Sequence, residues 1–384
     1  MIRNLPVSGL VVILGAAASL GIWGCAESPG VGPTHAIIEA TTVLRNAAED
    51  ADPVVRANAL EAMAATLGTQ VGANYIQALS DPSPAVRFAA AMAIGDTRYA
   101  PARAQLDKMA QDKTGEPDRR VFVAVVYALF RLGDETYLNQ LARSIRDPEK
   151  EVRADAAMVL GKMDDPSAVE PLKMALKDER DPGAEIQFVE ALARLGDMRS
   201  IYRLEAYTKT TYVDERLVAI RAISEVNPPR AEQILDFLLG VKQPIPVRVA
   251  AVGALARLGL PYHGGDALCA EAIKNPEGLL RAYYGKDREI KPVEIVSLQE
   301  LAAISLGWMR QEPAVNVLVP LLQSHDGTVR VAAAMSILRL LSLQQEALAA
   351  QEAARTAKAA QQKPAATSKP VTPRLKPKTA GAKD

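Results

Sequence analysis

Cysteine, histidine and aromatic residues are scarce in this chain. Two cysteines among 384 residues exclude a scaffold stapled by disulfides, and three histidines (His35, His263 and His325) leave little material for a metal-dependent enzyme. The formal net charge is zero and aromatics make up only 4%, a balance that points to no nucleic-acid partner. The usual catalytic signatures are missing as well: there is no G-x-G-x-x-G, no glycine-and-lysine phosphate loop, no G-x-S-x-G elbow, no C-x-x-C and no H-E-x-x-H. His263, Asp266 and Cys269 follow one another at three-residue spacing, but beside Gly264 and Gly265 they read as a helix start rather than a metal site. The expectation is therefore no cofactor, no metal and no catalysis. What the chain does have is a hydrophobic share of 49%, enough for several cores. A chain of this length normally divides into two or three domains unless it is built from stacked repeats.

The first residues form an address label. Arg3 supplies a positive charge, Leu10 to Ile22 form an apolar run of 13 residues, and Ile22-Trp23-Gly24-Cys25 closes it with a small residue before cysteine. The run is short for a membrane-spanning helix, which needs about 20 apolar residues. This arrangement resembles the lipobox of bacterial lipoproteins, with Trp23 an unusual middle residue. The resemblance implies cleavage after residue 24, a diacylglycerol on the Cys25 sulfur and an acylated new N-terminus, hence a protein anchored in the bacterial cell envelope and facing the periplasm or exterior. Residues 25–34 then read as a flexible tether.

Repeats organise the rest. An apolar anchor recurs at Met63, Ile94, Leu129, Leu160, Leu192, Ile223, Leu255, Leu306 and Ile337, at intervals of 31 to 35 residues except for one of 51. Apolar residues also stand four and, in most repeats, eight positions earlier, a helical period rather than a strand's. A second amphipathic helix fills each interval, so each period is a helix pair that can bury its face only by stacking on its neighbours. Arginine stands seven residues before the anchor in six of nine repeats (Arg56, Arg87, Arg153, Arg216, Arg248 and Arg330), and Asp50, Asp81 and Asp147 precede three of these by six.

The segments DPSPAVRFAAAMAIGD (81–96) and DPEKEVRADAAMVLGKMDDPSAVEPL (147–172) resemble HEAT repeats, in the short bacterial form also found in phycobilisome lyases. That resemblance covers about 35–341. It implies an all-α, right-handed superhelical solenoid of the HEAT or armadillo type with about nine helix pairs. It also implies aspartates that cap the second helix and pair with a ladder of arginines; repeats five to eight depart from that pattern, with Gln187 in helix five and Glu215 at a normally apolar position, so the ladder is expected to break there. Nine pairs stacked at about 10 Å give a curved rod on the order of 90 Å long with a concave groove. Deoxyhypusine hydroxylase is an enzyme of HEAT-like build, but its iron site uses His-Glu pairs. Here the histidines are followed by Ala36, Gly264 and Asp326, so no catalytic residue carries over.

Within the second helix of each pair, positions two before and two after the anchor face the groove. They read Met92, Tyr127, Met158, Glu190, Arg221 in one column and Arg131, Lys162, Arg194, Glu225, Arg257 in the other. Met92, Tyr127 and Met158 form an apolar strip suited to a peptide, with Arg131, Lys162 and Arg194 as a basic rail beside it. Packing between helices is the alternative for the methionines, and the helix dipole for the basic residues. The long interval carries an insertion at 275–294 in which Tyr283 and Tyr284 are either presented to a partner or packed on the rod. After the solenoid, 342–362 is an Ala/Gln-rich helix former and 363–384 a Pro/Lys-rich tail that cannot bury a core. Residues 355–384 carry a charge of +7 and 26–354 one of −8. Lys363, Lys369, Arg374, Lys376 and Lys378 thus offer a contact to anionic lipid or cell-wall polymer, against the plainer reading as a solvated linker. The functional expectation is an anchored, non-catalytic scaffold that binds another protein along its groove. The alternative is a structural link from lipid to cell wall, with an enzyme of the HEAT-like lyase or hydroxylase type a distant third.

Overall fold

The structure, a computed structural model, describes residues 32–111, 115–311 and 313–361, with side chains through 346. The Cys25 segment, the first part of the tether and the basic tail lie outside the described residues, and so do the expectations placed on them. Among the described residues there is no strand, and no helix is long and apolar enough to cross a membrane.

The helices come in pairs. In chain order these are α1 (Pro33–Ala47) with α2 (Pro53–Thr66), α3 (Gly72–Ala78) with α4 (Pro84–Thr97), and α5 (Arg103–Met109) with α6 (Arg119–Arg131). There follow α7 (Leu138–Ser144) with α8 (Lys150–Met163), α9 (Val169–Asp178) with α10 (Pro182–Arg194), and α11 (Met198–Tyr207) with α12 (Val213–Val226). Next is α13 (Ala231–Leu238) with α14 (Ile245–Leu258). The eighth pair is α15 (Gly265–Lys274) with α17 (Pro292–Leu306), separated by α16 (Pro276–Tyr284). The ninth is α18 (Pro313–Leu318) with α19 (Gly327–Gln361). The second helix of each pair carries the apolar anchor and forms the inner layer. Some of these helices begin where the sequence supplies a side-chain acceptor, with a fixed φ beside it in α2 and α10. Asp52 accepts from the Val54 amide just before Pro53, Asp181 accepts from Ala184 beside Pro182, and Asp118 accepts from Arg120 and Val121.

The aspartates of the ladder do not cap, contrary to expectation. Asp50, Asp81 and Asp147 each accept from the amide two residues on, Asp52, Ser83 and Glu149, and so order the turn ahead of the helix rather than its first turn. They do pair with arginines. Each ladder arginine donates through Nη1 to carbonyls of its own turn and through its other nitrogens to the acid of the next repeat: Arg56 to Asp81 at 2.8 Å, Arg87 to Glu116 at 2.7 Å and Arg153 to Glu179 at 2.7 Å. Repeat three has Phe122 at the arginine position and reaches Asp147 through Arg119 instead, and the ladder fails from repeat five, where Glu185 holds the position. Arg216 then finds only the Gln243 amide oxygen, and Arg248 only the Leu239 carbonyl.

Its last rung overturns the open rod. Arg330 of the ninth repeat bonds the carbonyls of Ser324 and His325 in its own turn and reaches Asp50 of the first repeat at 3.5 Å. Helix α19 packs on both α1 and α2, and Gln323 donates to Glu39 at 2.9 Å. The inner helices therefore form a closed circle, α2, α4, α6, α8, α10, α12, α14, α17, α19 and back to α2. The cause is a wedge. Inner neighbours approach through small residues: a Cβ on Gly161 would stand 2.6 Å from Ala191 Cα, and one on Gly307 2.8 Å from Ser336 Cα. Outer helices pack on inner helices and scarcely on one another. Spacing that is tighter inside than outside turns each pair by the same sense, and nine such turns complete the circle.

Candidate functional site

Closure converts the expected groove into a lumen rimmed by the C-terminal halves of the inner helices. The two columns of polar positions flanking the anchors converge there and bond to one another. Tyr127 is fully buried, with its hydroxyl donating to Asp96 at 2.5 Å and accepting from Arg131 Nη1 at 2.9 Å. Burial, reinforced by Asp96, pushes the Tyr127 phenol upward, so it stays protonated and donating. Lys162 crosses from α8 to Asp96 on α4 at 2.9 Å, passing over α6 with its Nζ 5.4 Å from the Tyr127 ring centre.

Farther round, Glu190 is buried and accepts from Arg194 at 2.9 Å and from Arg221 at 2.8 Å. Arg194 also pairs with Glu225, which takes Arg257 at 2.9 Å. Burial lowers the pKa of both Arg194 and Arg257. Glu61 on α2 faces this network from the far side. Its side chain is solvent-exposed, yet desolvation by the protein around it raises its pKa, Lys162 opposes that shift, Asp96 adds to it, and Arg221 on α12 lies within electrostatic reach. Residues on nearly opposite sides of the ring therefore share one field. Trp308, at the end of α17, stacks against Arg257 on α14 and Arg339 on α19.

This changes the reading of the candidate residues. Met92 and Tyr127 are buried and Met158 is half-buried, so the strip expected to receive a peptide is mostly core. Arg131, Lys162 and Arg194 line up beside it, but each is bonded to a Tyr127, Asp96 or glutamate oxygen within the ring. The insertion is folded down: Leu280 is 1% exposed, Tyr283 and Tyr284 are half-buried and meet edge to face, Tyr283 donates to the Lys242 carbonyl at 3.2 Å, and Arg288 covers Tyr284. Cys269 is fully buried and unpaired, its thiol pushed up to about 12 by burial. Among the described residues no group of three or more His, Cys, Asp or Glu side chains could hold a metal ion. Sequence reasoning left out Glu61, Asp96, Trp308 and Arg339. All four occupy the same two columns, and following those columns through repeats one, two, eight and nine would have found them.

The class defined by these observations is an all-helical solenoid of paired helices, closed into a ring. HEAT repeats match the chain in four overlapping segments, residues 41–126, 76–150, 114–193 and 138–218. No curated protein matches it. Among solved structures the chain is similar to human deoxyhypusine hydroxylase in complex with glycerol, at 18% identity and a TM-score of 0.33, covering 80% of this chain and 99% of that one. A likeness at that level transfers no activity.

Proposed function

We propose that the protein is a non-catalytic scaffold, anchored to a bacterial envelope membrane through lipidated Cys25, that docks another protein on the outer wall of its ring. HEAT repeats suit a scaffold, and one observation carries the docking surface. Of nine exposed large apolar side chains among the described residues, six (Met174, Met198, Tyr202, Tyr212, Phe237 and Val241) fall between 174 and 241. Four of them stand on α9, α11 and α13, the outer helices of adjacent pairs, and Tyr202 is 59% and Phe237 62% exposed. Scattered apolar residues are ordinary on a surface, whereas a concentration on one arc of the ring is the composition of an interface. The partner surface is thus the convex wall of pairs five to seven rather than the buried Met92–Tyr127 strip.

The test has two arms. Cys25→Ser should abolish fatty-acid labelling and release the protein from the membrane fraction; unchanged partition removes the anchor from the proposal. A photo-crosslinking residue at Tyr202 or Phe237, introduced in intact cells, should give one discrete adduct, while the same residue at Arg98 on the other side of the ring gives none. No adduct at either position, or equal adducts at all three, rejects the docking surface.

A further inference from the structure

Six cations (Arg131, Lys162, Arg194, Arg221, Arg257 and Arg339) and four carboxylates (Glu61, Asp96, Glu190 and Glu225) share the inner rim, an excess of two positive charges. Five of the cations are bonded, four to carboxylates and Arg131 to the Tyr127 hydroxyl. Arg339 is the exception. It makes neither a hydrogen bond nor an ion pair among the described residues, and its Nη1, like Nε of Arg131, is buried without a partner. One turn earlier on the same helix, the Ser336 hydroxyl is also buried and unpartnered.

The helix dipole does not compensate either. Arg131, Lys162, Arg194 and Arg257 occupy the last turns of their helices, where carbonyl ends favour positive charge, but α19 continues to Gln361 and leaves Arg339 in mid-helix. Its neighbours make matters worse. Burial, with Arg257 close by, holds the Arg339 guanidinium down at about 10. Its one polar contact among the described residues is the face of Trp308, whose ring centre lies 4.2 Å from Arg339 Cζ and 4.9 Å from Arg257 Cζ. A half-buried guanidinium with one sealed, unpartnered nitrogen, a second cation beside it and no counter-charge is costly to maintain unless an anion completes it.

We propose that Arg257, Trp308 and Arg339 form a binding site for a phosphate-type dianion, independent of the docking surface on the outer wall. The guanidinium fork matches the spacing of two oxygens on one phosphorus or carbon centre, and the indole gives the group a water-poor edge on which those bonds are strong. A phosphate or phosphate monoester carries a charge of about −1.5 to −2 at neutral pH, the complement of the rim's excess. Arg339 supplies the free donor, and Arg257, already shared with Glu225, supplies the second positive charge. Two sources fit this chemistry, free phosphate and a phosphate ester on an organic stem.

Trp23 and Trp308 are the only tryptophans, and cleavage before Cys25 removes the first, so the mature protein, or an uncleaved chain carrying Trp23→Phe, reports the site through Trp308 emission. Inorganic phosphate and phenyl phosphate are titrated separately in chloride at constant ionic strength. The expected result is a saturable change in emission and a rise in melting temperature with one or both probes, phenyl phosphate alone indicating an esterified ligand. Arg339→Met should weaken binding at least roughly thirtyfold while leaving the unliganded melting temperature equal or higher, since it removes an uncompensated buried charge. If that variant does not fold, Arg257→Met is used, because Glu225 keeps Arg194 as its partner. No saturable response to either probe overturns the proposal, and so does an equal response in the variants.

Discussion

Glu179 shows how much one rung of the ladder contributes. Its carboxylate accepts from Nε and Nη2 of Arg153 and from the amides of Arg180 and Asp181, and these bonds, the Arg153 pair foremost, outweigh burial and hold it at about 2 instead of the ordinary 4.5. A carboxylate whose folded pKa is depressed stabilises the fold above its unfolded pKa, and that contribution is lost as pH falls through the folded value. Glu179→Gln should therefore cost roughly 1–3 kcal/mol at neutral pH. The gap between variant and parent, followed by urea unfolding at a series of pH values, should narrow from about pH 4.5 toward pH 2. A gap independent of pH would mean that shape, not charge, matters at this rung. The arginine side of the ladder was legible in the sequence because Arg56, Arg87 and Arg153 stand at a fixed distance from the anchors. The acid side was less so. Glu116 and Glu179 replace aspartate at other spacings, and only the folded turns bring them to the arginines.

At the level of elements, periodicity revealed every inner helix, because an apolar stripe of nine anchors has no other solution. It could not say what α16 does. Leu279, Leu280, Tyr283 and Tyr284 repeat as adjacent pairs four residues apart, a pattern that serves equally well for packing on a neighbour or for presentation to a partner. The fold decides it through contacts with distant turns: Asn275 caps the helix at the Gly278 amide, Leu280 is sealed, and the Tyr283 hydroxyl reaches Lys242 in the preceding pair. Leu280→Ala should accordingly cost about 2–4 kcal/mol by chemical denaturation, the range for a leucine removed from a filled core. A cost below about 0.5 kcal/mol, the level of ordinary surface changes, would show α16 to be a mobile flap and restore its tyrosines as candidates for binding.

For the whole molecule, the decisive property is the angle between successive pairs, and no single repeat displays it. Gly161 against Ala191 and Gly307 against Ser336 each set a small wedge, and whether nine wedges add to an arc or a circle depends on their sum. Met92, Tyr127, Arg131 and Lys162 stand on the inner helices α4, α6 and α8. The acceptor that closes the circle, Asp50, lies 280 residues from Arg330, beyond any local pattern. Closure also explains why an apolar strip on that side becomes core and why charges from α2, α4, α8 and α12 interact. It is directly measurable. In a Cys25→Ser background, cysteines at Glu39 and Gln323, whose side chains bond at 2.9 Å, should be joined within one molecule by a short bis-maleimide in high yield. Cys269, buried with its thiol pushed up to about 12, should stay unmodified in the folded protein. A control pair at Glu39 and Tyr202, on distant pairs of the ring, should not join, and urea should abolish the Glu39–Gln323 product. If the first pair yields only links between molecules, the solenoid is open in solution. The inner rim would then be a groove accessible to a partner.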